Sequence, residues 1–370
     1  MSNQSEHFTL GVEEEYQITD PTTRSLVSRS MQVLPNAQET LGESVQTELQ
    51  LAQIEIATPV CQTLAEVRQA VVESRRKVIE AAATTGHSIT AAGTHPFAHW
   101  DEQEVTPKKR YQELLQDYQQ LAREQIICGC HVHVGLRDCE AAIPVMNRAR
   151  VWLTPLLALA ANSPFWLGVD TGYASFRTQI WVRWPIAGPP QVFTSRAEYD
   201  ALVQALVTTG CVEDDTKLYW DIRLPSRIDT IEFRVTDVCA TVDEAVMIAG
   251  LARALVRTCY EQAIRDESFS AARPELLRAA HWRAARYGLE DKLIDINKEQ
   301  AIPAHDFIRS FLEFVGPALQ ANGDLHEVSD LVNETLQRGN GAMRQREVYQ
   351  RTNNLVDVVD FVVAETRAGI

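Results

Sequence analysis

The sequence predicts an α+β protein in which strands come first and helices follow. Its 370 residues begin with strand-like segments separated by helical ones, and from Thr241 onward the apolar residues recur almost entirely at helical spacing. The strand-like segments cover residues 8–19, 52–58, 88–93, 126–135, 176–184, 218–224 and 230–238. Because no strand-like segment leads into a glycine-rich phosphate loop of the P-loop or Rossmann pattern, a doubly wound nucleotide-binding sheet is not expected.

Capping residues mark where helices begin and end. Three pairs match the capping box, in which Ser or Thr is followed three residues later by Glu: Thr63 with Glu66, Ser195 with Glu198, and Thr241 with Glu244. After the first pair, apolar residues recur at helical spacing as far as Gly86, a residue type suited to the position just past a helix end. We therefore expect helices to begin at these three points.

The composition is that of an ordinary globular chain with an acidic balance. Hydrophobic residues make up 45% and charged residues 23%, and 50 acidic against 35 basic residues give a formal charge of -15. This balance disfavours nucleic-acid binding and attachment to anionic membranes, and no apolar run is long enough to span a bilayer. Seven cysteines without framework spacing suit a reduced, cytoplasmic protein. A homodimer is the commonest oligomer to expect.

Three consecutive glutamates lie in the first strand-like segment. Because alternate side chains of a strand point to opposite faces, Glu13 and Glu15 share one face and Glu14 takes the other. Two neighbouring carboxylates repel each other unless solvent or a cation is near, and Mg²⁺ and Mn²⁺ prefer such oxygens. Glu13 and Glu15 are therefore candidate metal ligands, with a solvated edge strand as the alternative.

Polar and apolar side chains also alternate around Glu55. Gln53 and Glu55 share the face opposite Ile54 and Ile56, so the polar face of this segment must meet water or a cleft. Glu48 precedes the segment, and the sequence leaves its direction open. Glu48 and Glu55 are candidate ligands, and a surface carboxylate is the alternative for each.

Residues 128–134 combine cysteines and histidines at strand spacing. Cys128 and Cys130 share an apolar face with valines, where cysteine packs as a small hydrophobic residue, so a zinc site that uses them is disfavoured. His131 and His133 share the other face. Two imidazoles on the polar face of a strand suit a metal or phosphate site, and a buried structural histidine is the alternative.

A glutamate and an arginine share a face in the last strand-like segment. Glu232 and Arg234 lie opposite Ile231, Phe233 and Val235, so a cleft could use them as a metal ligand and an anion binder. A structural salt bridge between them is the alternative.

Further arginines precede this segment. Arg177 and Arg183 lie in an irregular, aromatic-rich stretch and offer fork-shaped donors for carboxylates or phosphates, with an ordinary surface loop as the alternative. Asp221 and Arg223 repeat the acid–arginine pattern on the face away from Ile222.

Together these segments resemble the glutamate–cysteine ligase type 2 family, the YbdK-like carboxylate–amine ligases, over nearly the whole chain and in order. The matching segments are Gly11-Val-Glu-Glu-Glu15, Gln53-Ile-Glu-Ile-Ala-Thr-Pro-Val60 with the preceding Glu48, Gly93-Thr-His-Pro-Phe97, His131-Val-His-Val-Gly135, Asn162-Ser-Pro-Phe-Trp166, Asp170-Thr-Gly-Tyr-Ala-Ser-Phe-Arg177, Trp220-Asp-Ile-Arg223, Ile231-Glu-Phe-Arg-Val-Thr-Asp237, Trp282-Arg-Ala-Ala-Arg-Tyr-Gly288 and Gly341-Ala-Met-Arg-Gln-Arg346.

The resemblance implies one catalytic domain over residues 1–370 with a glutamine synthetase-like fold, a curved, mostly antiparallel sheet with flanking helices and a helical C-terminal third. The concave face would bind ATP, Mg²⁺ or Mn²⁺, and glutamate. ATP would convert the substrate carboxylate to an acyl phosphate, and an amine would attack it to form a γ-glutamyl amide. Cysteine is the default acceptor. The alternatives are another amine acceptor and, from a different class, a two-metal hydrolase.

The resemblance also implies roles for individual residues. The expected metal ligands are Glu13, Glu15, Glu48, Glu55, His131 and Glu232. The expected catalytic residues are Glu232, Arg234 and Arg177, and the expected ATP-binding residues are His131 and His133. Arg183 is also expected to bind ATP, on the ground of its fork-shaped donors and not of the resemblance.

Overall fold

A computed structural model describes residues 8–370. Its strands are β1 (Leu10–Thr19), β2 (Val45–Thr47), β3 (Gln53–Ala57), β4 (Ser88–Thr90), β5 (Gly129–Gly135), β6 (Phe165–Trp166), β7 (Val169–Asp170), β8 (Ile222–Arg223), β9 (Thr230–Asp237), β10 (Lys292–Asp295) and β11 (Gln300–Pro303). Its α-helices are α1 (Ser30–Leu41), α2 (Leu64–Thr84), α3 (Lys109–Tyr118), α4 (Gln120–Arg123), α5 (Cys139–Ala149), α6 (Leu153–Ala160), α7 (Phe176–Trp181), α8 (Arg196–Thr208), α9 (Val242–Ile264), α10 (Pro274–Tyr287), α11 (Ala304–Asn322), α12 (Leu325–Arg338), α13 (Gly341–Thr352) and α14 (Leu355–Thr366).

One seven-stranded sheet forms the centre of the fold. Its strand order is β2-β3-β1-β5-β9-β8, and β4 pairs with the end of β1 that β5 does not reach. All pairings in this sheet are antiparallel. The register places Glu15 opposite Glu55, Glu13 opposite His131, and His133 opposite Glu232. The polar faces predicted from four separate segments therefore lie side by side.

The opposite face of the sheet is apolar and packs on helices. Val12, Val132, Ile231 and Phe233 belong to the main hydrophobic core, together with most of the buried side chains of α9. Helix α9 in turn packs against α2, α5, α11 and α12. The helical C-terminal third thus supports the sheet from behind and leaves its polar face free to form a cleft.

Glu14 lies on the helix-covered face, as its position in the strand predicts. Its carboxylate is fully buried and accepts a hydrogen bond from Arg75 Nε of α2 at 2.9 Å. Tyr16 Oη also donates to Glu14, at 2.5 Å. The acidic triplet is therefore divided between a structural ion pair behind the sheet and two carboxylates in front of it.

The three predicted N-caps are confirmed, although only one forms a complete capping box. Thr241 and Glu244 exchange both hydrogen bonds at the start of α9. Thr63 and Ser195 each cap their helix through the side-chain oxygen. The glutamate three residues after each cap accepts a hydrogen bond from the backbone N–H of the residue before the cap, which is Gln62 or Thr194, and not from that of the cap itself. Gly86 follows the capped end of α2 with φ +77°, where a side chain would be strained.

One sequence prediction about secondary structure is wrong. Residues 176–184 were expected to form a strand, yet Phe176–Trp181 is helix α7, because Ser175 caps it and Phe176 and Ile180 pack on one helical face. Tertiary packing and capping there outweigh the local pattern. The helical C-terminal third is confirmed, and it includes the short β10–β11 hairpin.

Two further features bear on the sequence predictions. Among residues 8–370, no helix combines the length and apolar character needed to cross a bilayer. All seven cysteines lie in this range and are free thiols.

Candidate active site

A cavity of about 390 Å³ opens over the polar face of the sheet. Seven of the predicted site residues line it: Glu13, Glu15, Glu48, Glu55, His131, Arg177 and Arg234. Strands β1, β3, β5 and β9 supply five of them, Glu48 comes from the connection between β2 and β3, and Arg177 comes from α7. The sheet thus fixes an acidic floor, with arginine side chains beside it.

The orientation of His131 is set by Glu13. His131 Nδ1 lies 3.0 Å from Glu13 Oε2, so Nδ1 carries the proton and donates it. The other ring nitrogen, Nε2, lies 3.9 Å from Glu15 Oε1 and has no hydrogen-bond partner among the described residues. Burial and the charge of Arg234 lower the pKa of His131 to about 4, so the ring is neutral and Nε2 presents its lone pair to the acidic floor.

The remaining carboxylates of the floor crowd one another. Burial and the charge of Glu48 raise the pKa of Glu15 to about 7, although Gly129 N donates to Glu15 Oε2 at 2.6 Å. The pKa of Glu55 is raised further, by burial and by the charges of Glu48, Glu13 and Glu15. Such crowding of buried carboxylates is relieved when a cation binds among them.

Two groups of side chains on this floor have the geometry of a cation site. Glu13, His131 and Glu232 form one group, and Glu15, Glu55 and His131 form the other; within each, the ligand atoms lie within 4.8 Å of one another. His131 is common to both. Oxygen-rich sets with one imidazole suit hard divalent cations such as Mg²⁺ and Mn²⁺, and the unpartnered Nε2 of His131 fits such an ion.

Glu232 is held between two arginines. Arg223 Nε donates to Glu232 Oε2 at 2.6 Å, and Arg234 Nη1 donates to Glu232 Oε1. Burial alone would raise the pKa of Glu232, but the charges of Arg234 and Arg223 outweigh it and lower the pKa to about 2. The salt bridge between Glu232 and Arg234 exists; Arg234 lines the cavity, whereas Glu232 is buried beneath it and does not.

Arg177 is positioned by a buried polar network at its back. Asp237 Oδ1 accepts from Ser175 Oγ at 2.7 Å, and Asp237 Oδ2 accepts from Ser163 Oγ at 2.6 Å. Ser163 Oγ in turn accepts from the backbone N of Arg177 at 3.0 Å. A Cβ on Gly129 would lie 3.0 Å from Arg177 Cζ, so this glycine lets the guanidinium approach the sheet.

Comparison with known proteins shows the family of this chain. Residues 9–364 match the family model described as glutamate-cysteine ligase family 2. The chain belongs to this ligase family. A relative from Rhodopirellula baltica, provisionally named glutamate–cysteine ligase 2, is 43% identical over 97% of this chain and 96% of its own length. One from Frankia alni, with the same kind of provisional name, is 41% identical over 97% of both chains.

Solved structures share the fold at low sequence identity. The glutamate–cysteine ligase of Francisella tularensis, solved in complex with AMP, has a TM-score of 0.69 and 12% identity, covering 98% of this chain and 90% of that one. A bifunctional glutathione synthetase from Pasteurella multocida has a TM-score of 0.66 and 17% identity, covering 97% of this chain and 52% of that one. The predicted α+β, glutamine synthetase-like ligase fold is confirmed, and the family makes the chain an ATP-dependent carboxylate–amine ligase.

Two residues expected at the site of this ligase lie elsewhere. Arg183 forms an ion pair with Glu124 at 2.5 Å and does not line the cavity. His133 borders a second cavity of about 190 Å³ on the other side of Glu13, and its Nε2 lies 3.3 Å from Glu13 Oε1. The acid–arginine pair Asp221 and Arg223 is also separated. Arg223 lines the cavity, whereas Asp221 Oδ2 lies 3.1 Å from His281 Nδ1, outside the cavity.

Sequence reasoning missed one whole wall of the main cavity. Its lining also includes Lys108, Arg110, Tyr111, Gln125, Trp184 and Tyr219. One signal was present: Lys108, Lys109 and Arg110 stand at the start of α3, where the helix dipole favours acidic residues. A basic run at that position suits a site for an anion.

Proposed function

We propose that this ligase joins the γ-carboxylate of glutamate to an amine, with cysteine as the first acceptor to consider, and that it uses ATP through an acyl phosphate. The observation that supports this best is the pair of cation-ligand groups sharing His131, set beside Arg177 and Arg234 in one cavity. Carboxylate activation needs a site that holds polyphosphate, cations and a second anion together. The provisional names of the relatives point to the same reaction.

The acidic floor is suited to hold two divalent cations. Glu15, Glu55 and the free Nε2 of His131 would hold one, and Glu13 and Glu232 would contribute to the other, with Glu48 beside them. When bound, such ions neutralise phosphate charge and align phosphoryl transfer. Because His131 has a single free lone pair, it would bind one of the two ions, and the other ion would take its protein ligands from carboxylates.

The arginines stabilise negative charge during the reaction. A carboxylate oxygen of glutamate attacks the γ-phosphorus of ATP, the bond to the bridging oxygen breaks, and ADP leaves. Arg177 Nε and Arg234 Nε are buried without hydrogen-bond partners among residues 8–370, so both can donate to the transferred phosphoryl group or to a substrate carboxylate. Arginines in this role contribute roughly 10³-fold or more to the rate of phosphoryl transfer.

The second step forms the amide. The neutral amine nitrogen attacks the carbonyl carbon of the acyl phosphate, the carbon–oxygen bond to phosphate breaks, and the nitrogen loses a proton. Glu232 is a poor acceptor for that proton, because both of its oxygens accept arginine hydrogen bonds and its pKa is about 2.

The smaller cavity is the better place for the adenine ring. Ala57 lines it, and the exposed side chains of Val60 and Ile228 stand at its edge. A flat, weakly polar base would cover this apolar surface. The triphosphate would then pass Glu13 and reach the acidic floor. The AMP complex of the Francisella tularensis ligase fits the use of an adenine nucleotide.

Incubation with ATP, Mg²⁺, glutamate and a panel of amines tests the proposal. Mass spectrometry should find a γ-glutamyl amide, with ADP and phosphate released in equal amounts. Omission of ATP should abolish the amide. Hydrolysis of a substrate without ATP, and no amide from any amine, would instead support a two-metal hydrolase.

A further inference from the structure

The wall of the main cavity facing the acidic floor is aromatic. Helix α3 contributes Tyr111 and Leu114, and the chain beyond α7 contributes Trp184 and Tyr219. The rings of Trp184 and Tyr219 pack with centroids 4.9 Å apart. We call these four residues the aromatic wall. Such a surface gains most from a ligand that presents an aromatic or other large apolar group.

Two buried polar groups beside the aromatic wall have no partner. Gln125 is 5% exposed, and neither its amide oxygen nor its amide nitrogen is hydrogen-bonded to any described residue. Trp184 Nε1 is likewise unpartnered, with Trp184 4% exposed. Leaving such groups unpaired and away from water is unfavourable. Because both residues line the cavity, a polar head group bound there would satisfy them.

The mouth of this part of the cavity is basic. Lys108 and Arg110 lie at the first turn of α3, and neither forms an ion pair with a carboxylate within residues 8–370. The helix start adds its own positive potential, which favours an anion. An anionic group on the ligand would therefore be attracted to the rim of the aromatic wall.

We propose that the aromatic wall is the subsite of the amine acceptor, and that the acceptor is an amine carrying an aromatic ring and a carboxylate, as in an aromatic amino acid. Gln125 and Trp184 are then residues that determine acceptor specificity. This inference rests on the proposed ligase function and refines it.

The other substrates have better sites. The glutamate carboxylate must meet the γ-phosphate on the acidic floor beside Arg177 and Arg234, and the apolar cavity beyond Glu13 is left for adenine. A cysteine side chain is too small to cover the aromatic wall. An aromatic amino acid fills the wall with its ring and meets the basic rim with its carboxylate.

A comparison of amine acceptors tests whether the preferred acceptor is an aromatic amino acid. Phenylalanine and tyrosine should react with kcat/KM at least tenfold above that of cysteine. Glycine, which lacks the ring, and phenethylamine, which lacks the carboxylate, should each be at least tenfold poorer than phenylalanine. A preference for cysteine or glycine over phenylalanine would overturn the inference while leaving the ligase function intact.

A substitution of Gln125 tests whether the acceptor binds at the aromatic wall. Gln125→Met should raise KM for phenylalanine at least tenfold and leave KM for ATP and glutamate within twofold of wild type. Gln112→Met, at an exposed position of α3, is the matched control and should match wild type. A rise in KM for ATP would place the nucleotide on the aromatic wall, and a rise in KM for glutamate would place the donor there; either result contradicts the inference.

Calorimetry separates this inference from the proposed reaction. Phenylalanine should bind the wild-type protein with ADP and Mg²⁺ present, and at least tenfold more weakly to Gln125→Met. If no amide forms with any amine but this difference is seen, the ligase proposal fails and the binding site stands. If both proteins bind phenylalanine equally, or neither binds it, the inference is wrong.

Discussion

His131 Nδ1 donates a hydrogen bond to Glu13 Oε2 across 3.0 Å, and this bond determines which ring nitrogen faces the acidic floor. Nε2 is left 3.9 Å from Glu15 Oε1, without a proton and without a partner among the described residues. Carboxylates commonly orient metal-binding histidines in this way. Glu13 thus has two functions, as a candidate ligand and as the residue that fixes the tautomer of another.

Loss of the Glu14 carboxylate should destabilise the fold, whereas loss of the neighbouring Glu15 carboxylate should not. Glu14→Gln leaves the guanidinium of Arg75 buried without its counter-charge, which should lower the free energy of unfolding by about 3 kcal/mol. Glu15→Gln, on the cleft face, removes a crowded charge and should not lower it. Urea unfolding measures both. Equal stability of Glu14→Gln and wild type would show that the buried pair is not needed.

Of two glycine substitutions, one should lower kcat and the other should raise only the stability of the protein. In Gly129→Ala the new methyl group collides with the guanidinium of Arg177, so kcat should fall roughly tenfold to a hundredfold. Gly316→Ala, within α11, meets no atom within 4 Å and should stabilise the protein by about 0.5–1 kcal/mol without changing kcat. Steady-state kinetics and unfolding curves check both. An unchanged kcat in Gly129→Ala would mean that the position of Arg177 does not matter.

Asp237 should affect catalysis although it does not reach the cavity. Asp237→Asn replaces one acceptor oxygen with a donor, so either Ser175 or Ser163 loses its partner and the start of α7 loosens. We expect kcat to fall about tenfold and the free energy of unfolding to fall by about 1–3 kcal/mol. Ser175→Ala should show the same effect in weaker form. Full activity in a folded Asp237→Asn protein would contradict this positioning role.

His95 should make the protein less stable in mild acid. Its Nε2 donates to Arg24 O at 2.9 Å, and its Nδ1 accepts from Ala98 N at 3.1 Å, so the buried ring is neutral. Burial lowers the pKa of His95 from 6.5 to about 4. Between these values the unfolded chain binds a proton that the folded protein does not. This residue's contribution to stability is therefore complete above pH 6.5 and falls as the pH drops to about 4, by roughly 3 kcal/mol.

Denaturant unfolding at two pH values checks the contribution of His95. The difference in unfolding free energy between wild type and His95→Gln should be larger at pH 7.5 than at pH 4.5. Parallel pH profiles for the two proteins would show that His95 does not titrate as described.

The polar face of the sheet was predictable because strands alternate strictly between two faces. That rule alone placed Glu13 and Glu15 together and separated Glu14, and the same rule applied to His131 and Glu232. The face on which a side chain lies follows from its position in its own strand. These residues could therefore be assigned to one polar face without knowing the strand order.

The other wall of the cavity was not predictable, because it is built by packing between distant segments. Arg110 and Gln125 come from α3 and the chain after α4, and no periodic pattern links them to Trp184. Arg183 was expected to bind ATP, and the sequence could not exclude it, because its ion pair with the distant Glu124 is evident only in the folded protein. Helix α7 was missed because its Ser175 cap outweighs a strand-like composition.

Titration with Mn²⁺ tests most directly the claim that the acidic floor holds divalent cations. Calorimetry of the wild-type protein should show two cations bound per chain, and Glu15→Gln should weaken binding at least tenfold. Glu39→Gln, at an exposed position of α1, should bind as wild type does. Mn²⁺ affinity and stoichiometry in Glu15→Gln equal to those of wild type would contradict the account.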